Sequence, residues 1–94
     1  HSSEQLVLVF LLIDIRHEPS ANDKMMYDWI CHNGFTPVII ATKSDKIKRS
    51  QLQKNLKIIR TKLEMDKDGM IFPYSALSKQ GRDEILEYIG TFLE

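Results

Sequence analysis

Pro37-Val38-Ile39-Ile40-Ala41-Thr42-Lys43-Ser44-Asp45 is an apolar run that gives way to a polar tetrapeptide carrying one ammonium and one carboxylate. A short β-branched run of this kind, bounded by polar chain, reads as a buried strand. In an open α/β sheet, ligands collect just beyond the carboxyl ends of the strands. Thr42, Lys43 and Asp45 therefore fall where a ligand would. A Lys and an Asp two positions apart suit a flat heterocycle. The methylene stem lies over the ring, and the carboxylate accepts two N–H donors from its edge. Guanine offers that pair at N1 and its exocyclic amine, whereas adenine does not. Ser75-Ala76-Leu77 ends the next strand one βα unit later, where a backbone N–H can meet the carbonyl oxygen of the same base.

Working outward, strands alternate with amphipathic helices. Strands are predicted over residues 6–14, 37–42 and 70–75, and helices over 20–33, 50–63 and 82–93. The run from Leu6 to Ile13 is apolar throughout, as in a strand buried on both faces of a parallel sheet. Ser20 with Asp23 predicts a capping box, Ser50 with Gln53 a better one, and Gly34 a left-handed residue closing the first helix. Met26, Trp29 and Ile30 form the predicted apolar stripe of the first helix, with Met25 also expected in the core. Leu52, Leu56, Ile59 and Leu63 form that of the second, and Ile85, Leu86, Ile89 and Phe92 that of the third. Asp83 and Glu84 stand in the third helix's first turn, where the macrodipole favours anions. The order βαβαβα implies parallel pairing through right-handed crossovers. The expected fold is a three-layer, Rossmann-like α/β half-domain with three parallel strands.

The chain has 94 residues, with 13 Lys and Arg against 13 Asp and Glu. That balance gives no global field directed at nucleic acid or an anionic membrane. One cysteine, Cys31, excludes an internal disulfide framework and suits a reducing cytosol. The longest apolar run is far shorter than the roughly 20 residues that span a bilayer. A three-stranded sheet whose strands read as central leaves an edge open to association with another chain. The sequence thus reads as part of a larger domain, with the remainder expected before Leu6.

Leu12-Ile13-Asp14-Ile15-Arg16-His17, Pro19, Asp23, Thr42-Lys43-Ser44-Asp45-Lys46, Ser75-Ala76-Leu77 and Gly81-Arg82-Asp83-Glu84 together resemble the second half of an EngB GTPase. This family (also called YihA or YsxC) belongs to the Ras-like GTP-binding proteins. The resemblance runs from about Leu6 to Leu93 and makes residues 1–94 the C-terminal half of an EngB-type GTP-binding domain. It implies that Asp45 accepts the guanine N1 and amine hydrogens, that Lys43 covers the base and that Thr42 braces the loop. It implies as well that Ala76, between Ser75 and Leu77, donates its N–H to the guanine carbonyl. Thr42 stands where many relatives in the wider superfamily carry Asn. The resemblance also implies GTP or GDP as ligand, with Mg²⁺ only in the intact protein. It further implies a cytoplasmic protein with a role in large ribosomal subunit assembly, cell division and septation, and contact with that subunit or its rRNA.

The phosphate machinery is missing from this sequence. Its glycines are Gly34, Gly69, Gly81 and Gly90, and no two have the spacing that G-x-x-x-x-G-K-[ST] requires. Asp66-Lys67-Asp68-Gly69 matches D-x-x-G but lies between a helix and a strand, where a metal-linked switch does not belong. The intact family protein would be a GTPase, and this chain alone is expected to be inactive. Asp14 is read as a structural strand end, bonding loop amides or meeting the neighbouring strand's loop. Arg16 and His17 are read as loop braces. Cys31 and His32 are adjacent, the wrong spacing for two metal ligands. Lys54, Lys57, Arg60 and Lys62 make a basic helix surface, either solvated or in contact with RNA. Two other readings are a non-enzymatic α/β module that self-associates or docks on its missing half, and a flavodoxin-like or response-regulator-like piece. The last lacks an acidic cluster at the first strand end.

Overall fold

A computed structural model describes residues 7–92. The elements are β1 (Leu8–Asp14), α1 (Ala21–His32), β2 (Thr36–Thr42), α2 (Arg49–Leu63), β3 (Met70–Pro73) and α3 (Arg82–Gly90), with a 3₁₀ turn over Ser44–Lys46. The three strands are parallel in the order β1-β2-β3. The register sets Asp14 beside Thr42 and Ala41 beside Pro73, so all three strands end at one rim. Both crossovers step the same way across the sheet. Right-handed connection then puts α1 and α2 on one face.

That face carries the main core. Ile13, Ile39 and Ala41 from the strands meet Tyr27, Leu56, Ile59 and Leu63 from the helices. The other face is covered only in part. Tyr88 of α3 lies 5.4 Å, ring to ring, from Phe72 and 5.0 Å from Phe92, while Phe10 and Leu12 of β1 are exposed. The two-sided burial expected of β1 is therefore not found. Its Ile13 side is packed, and Leu12 is 63% exposed. The part of that expectation resting on Leu6 lies outside the described residues.

Helix packing departs from the sequence reading in three places. Ile30 is fully buried, but Met25, Met26 and Trp29 are exposed, and Tyr27 takes the inward position instead. Trp29 packs edge-on against Phe35, at 5.9 Å. On α3, Leu86 is exposed, and Phe92, which lies past the end of that helix, is exposed as well. The third departure is at the start of α2. The cap of this helix falls two residues before the expected Ser50, at Lys48, with no side-chain cap. Ser50 is then inside the first turn, and the box with Gln53 does not form. At α1 the expected box is present: Ser20 Oγ accepts from Asp23 N–H at 3.1 Å, and Asp23 Oδ2 accepts from Ser20 N–H at 2.9 Å. Gly34 follows that helix at φ +78°, as expected. The third strand stops at Pro73, two residues short of the expected end, because Ser75 N–H turns aside to the Gln80 carbonyl.

Candidate functional site

Beyond the rim where the strands end lies a cleft of about 540 Å³, lined by Leu12, Thr42, Lys43, Asp45, Lys46, Tyr74, Ala76 and Leu77. Five of the six residues singled out from the sequence thus share one concavity. The sixth, Ser75, is fully buried behind it. Its hydroxyl donates to Asp45 Oδ1 at 2.7 Å and accepts the Ser78 N–H at 3.1 Å. Ser75 therefore aims Asp45 rather than facing the cleft. The same hydrogen bond, foremost among several effects, lowers the Asp45 carboxyl below its usual range. Ala76 N–H donates to no carbonyl or side chain among the described residues. Leu77, 79% exposed, forms an apolar lip.

Lys43 adopts the left-handed conformation, with φ 63° and ψ 36°, which turns the chain out of β2 and into the 3₁₀ turn. Lys46 N–H closes that turn on the Lys43 carbonyl at 2.9 Å. A non-glycine residue here is sparsely populated and persists where its surroundings fix it. Two contacts do so. Ser44 N–H donates to the Tyr74 carbonyl at 3.1 Å, and Ser44 Oγ reaches Gln80 Oε1 at 2.8 Å. Thr42 Oγ1 donates to the Ile13 carbonyl at 3.4 Å, bracing the strand end.

Asp14 behaves as its position suggested. It accepts the Arg16 backbone N–H at 2.9 Å and meets Lys43 Nζ at 3.6 Å from the neighbouring strand's loop. Arg16 grips it twice more, with Nε 3.0 Å from Oδ1 and an η nitrogen 2.8 Å from Oδ2. This fork holds the Asp14 carboxyl well below the usual carboxylate range. Among the described residues, no three His, Cys, Asp or Glu side chains converge as a metal site would require. No helix of the described residues is long and apolar enough to cross a membrane. Asp66-Lys67-Asp68-Gly69 sits just before β3, at the opposite end of the sheet from the cleft.

No family model matches the chain. It is 61% identical to the probable GTP-binding protein EngB of Lachnoclostridium phytofermentans, over 99% of this chain and 46% of that protein. It is 54% identical to the EngB of Lachnospira eligens, over 97% of this chain and 43% of the relative. This sequence belongs with the EngB family, matching the C-terminal part of its members. The EngB of Clostridioides difficile is 52% identical over 94% of the chain and 43% of its own length. The chain thus spans about half the length of these EngB relatives. Among solved structures, translation elongation factor SelB from Methanococcus maripaludis, in its apo form, superposes with a TM-score of 0.81. That match covers 93% of this chain and 20% of SelB at 23% identity, and shows the shared fold.

Three supporting residues of the EngB segment escaped the sequence reading. Gln80 ties Ser44 to the Ser75 loop through its side chain and its carbonyl. Asn55 of α2 donates to the Ile15 carbonyl at 3.0 Å and pins the loop after β1. Tyr74 supplies one wall of the cleft and the carbonyl that holds Ser44. Gln80 and Asn55 act through loop contacts some 36 and 40 residues away in sequence, so no local pattern marks them.

Proposed function

We propose that this segment is the guanine-recognition half of a GTP-binding domain, with Thr42, Lys43, Asp45, Ser75, Ala76 and Leu77 forming the base site. The observation that carries the reading is the convergence of Lys43, Asp45 and Ala76 on one cleft at the carboxyl ends of parallel strands. The cleft lies within the roughly 300–1,000 Å³ of small-molecule sites. A carboxylate has about four lone-pair sites. With one taken by Ser75, Asp45 can still accept from guanine N1–H and the amine. Adenine would set a lone pair at N1 against that charge. The relatives' designation as GTP-binding proteins agrees with this chemistry.

No G-x-x-x-x-G-K-[ST] loop occurs in the sequence, and no three metal-ligating side chains converge among the described residues. Asp14, the carboxylate at the neighbouring strand end, is already engaged by Arg16 and Lys43. Hydrolysis would then belong to chain outside this segment, and the 94 residues alone would release no phosphate from GTP. The resemblance extends the reading to large-subunit assembly and septation in the cytoplasm. The RNA contact, on the ribosomal large subunit or its rRNA, would be the basic surface of α2, a helix with no carboxylate. The module reading is favoured by one observation: β1 is an edge strand whose Phe10 and Leu12 are exposed. That face fits association with the rest of the domain or with a second copy.

The test is NMR titration of the ¹⁵N-labelled chain with guanosine, GDP, adenosine and xanthosine. Guanosine and GDP should bind alike, at about millimolar affinity, with shifts at 42–46 and 75–77 and none from adenosine. Asp45→Asn should move the preference to xanthosine. Equal binding of adenosine, or GDP a hundredfold tighter than guanosine, would refute the assignment.

A further inference from the structure

The register sets Asp14 beside Thr42, so the residue that leaves β2, Lys43, emerges one step past the end of β1. Its left-handed turn carries the side chain back toward that strand end, where Nζ stands 3.6 Å from Asp14 Oδ2. The methylene stem must therefore bridge from the β2 terminus to the β1 terminus. Leu12, two residues before Asp14, lines the same cleft as Lys43. Asp14 does not line it. Arg16 holds Asp14 by a two-pronged contact and a backbone N–H, so both carboxylate oxygens are engaged.

An ion pair with Lys43 55% exposed contributes little to stability. Its geometric consequence is larger. A lysine tethered at both ends has fewer rotamers left, and its stem becomes a preset surface lining the cleft. Free lysine stems are among the most costly side chains to order when a ligand settles on them. Tethering the ammonium also draws the charge off the ring and leaves methylenes as the surface a flat base would meet. We infer that Asp14, clamped by Arg16, is a positioning residue that anchors Lys43 and preorganises the floor of the base site.

This inference rests on the guanine reading and needs a test that separates the two. The protein is the chain extended to the full length of its EngB relatives, and the readout is GDP and IDP dissociation constants. IDP lacks the exocyclic amine, so the GDP/IDP ratio reports the Asp45 edge contact alone. Asp14→Asn and Lys43→Met each cut the tether while leaving the stem. Each should weaken GDP about three- to tenfold, within the range of coupling between touching residues, and leave the GDP/IDP ratio unchanged. The double variant should lose no more than either single one. Lys43 is exposed, so Lys43→Met stays informative if Asp14→Asn unfolds the loop. Undiminished GDP affinity in Asp14→Asn, additive losses in the double variant, or a collapsed GDP/IDP ratio would overturn the inference. Collapse of the ratio would mean that Asp14 acts by general loosening of the site. Asp45→Asn is the arm on the parent reading. A lost GDP preference there with an unaffected Asp14→Asn removes the tether alone, and an unaffected Asp45→Asn removes both.

Discussion

Replacing Gly81 by Ala should be among the most damaging single-atom additions in this chain, for two structural reasons. Gly81 precedes α3 at φ +85°, a conformation that L side chains rarely adopt. A Cβ there would also lie 1.9 Å from the Pro73 carbonyl oxygen, 3.1 Å from its carbon and 3.4 Å from Tyr74 Cα. These are backbone atoms, so no rotamer change relieves the clash, and the strand end must retreat by more than an ångström. That strand end is tied on both sides. Tyr74 N–H bonds the Ala41 carbonyl at 2.8 Å, and Ser75 N–H bonds the Gln80 carbonyl at 3.0 Å. The left-handed conformation costs about 1–2 kcal/mol, and overpacking adds about 1–3 kcal/mol. The expected loss is therefore about 2–5 kcal/mol, against roughly 0.05–0.15 kcal/mol per residue of total stability. Gly34 supplies the control, since it has φ +78° but nothing within 4 Å of where a Cβ would stand. Gly34→Ala should lose only the conformational part, about 1–2 kcal/mol. Urea unfolding followed by far-ultraviolet circular dichroism measures both. If Gly81→Ala is no less stable than Gly34→Ala, the close approach to Pro73 is not what the geometry implies.

Other expectations follow from the caps, the charges and the titrating groups. Ser20→Ala should cost about 1 kcal/mol through loss of a helix cap. Ser50→Ala, at a position that caps nothing, should change stability by less than about 0.5 kcal/mol. Equal losses in the two would contradict the start of α2. Asp14 and Asp45 are held below the usual carboxylate range by Arg16 and Ser75 respectively. The unfolded chain thus binds more protons near pH 4, and stability should fall as the pH drops through that window. Asp14→Asn should flatten the acid limb, and an unchanged limb would argue against the Arg16 fork. At the other end, burial, with Cys31 close by, pushes the Tyr27 phenol up to about 12. The folded state then keeps a proton that the unfolded state releases near pH 10, so stability should decline from about pH 10 to 12. Absorbance at 295 nm should show Tyr27 ionising late, and a Tyr27→Phe variant that leaves the late phase unchanged would refute this. If α2 meets RNA, changing Lys54 and Lys57 together to Ala should reduce the salt dependence of single-stranded RNA binding by about 1.4 in log–log slope. An unaltered slope would leave that face simply solvated.

Much of the molecule is local in origin and legible in the order of its residues. The apolar run ending in Thr42-Lys43-Ser44-Asp45 specifies a strand and a polar exit from it, because strand burial and loop polarity follow from a few adjacent side chains. The Ser20–Asp23 box and Gly34 are equally legible, since capping involves contacts within four residues. Alternation of strand and helix forces parallel pairing, and parallel pairing brings the carboxyl ends of β2 and β3 to one rim. The placing of Lys43, Asp45, Ala76 and Leu77 in a single cleft follows from that rim.

Tertiary structure decided what periodicity cannot rank. Met26, Trp29 and Ile30 share a helical stripe, but a helix on a twisted three-stranded sheet has room to bury only its central ridge. Ile30 and Tyr27 occupy it, while Trp29 remains 52% exposed. The Ser50 box failed because α2 starts from Lys48, two residues before the expected cap, which puts Ser50 inside the first turn. Ser75 is identifiable from sequence, yet its side-chain partner is not, because the 2.7 Å bond to Asp45 joins two strand ends 30 residues apart. The chain by itself determined its strands, its crossovers and the chemistry carried to the rim. Which side chains touch there, and hence which residue is aimed by which, was settled only by packing of the three strand ends against one another.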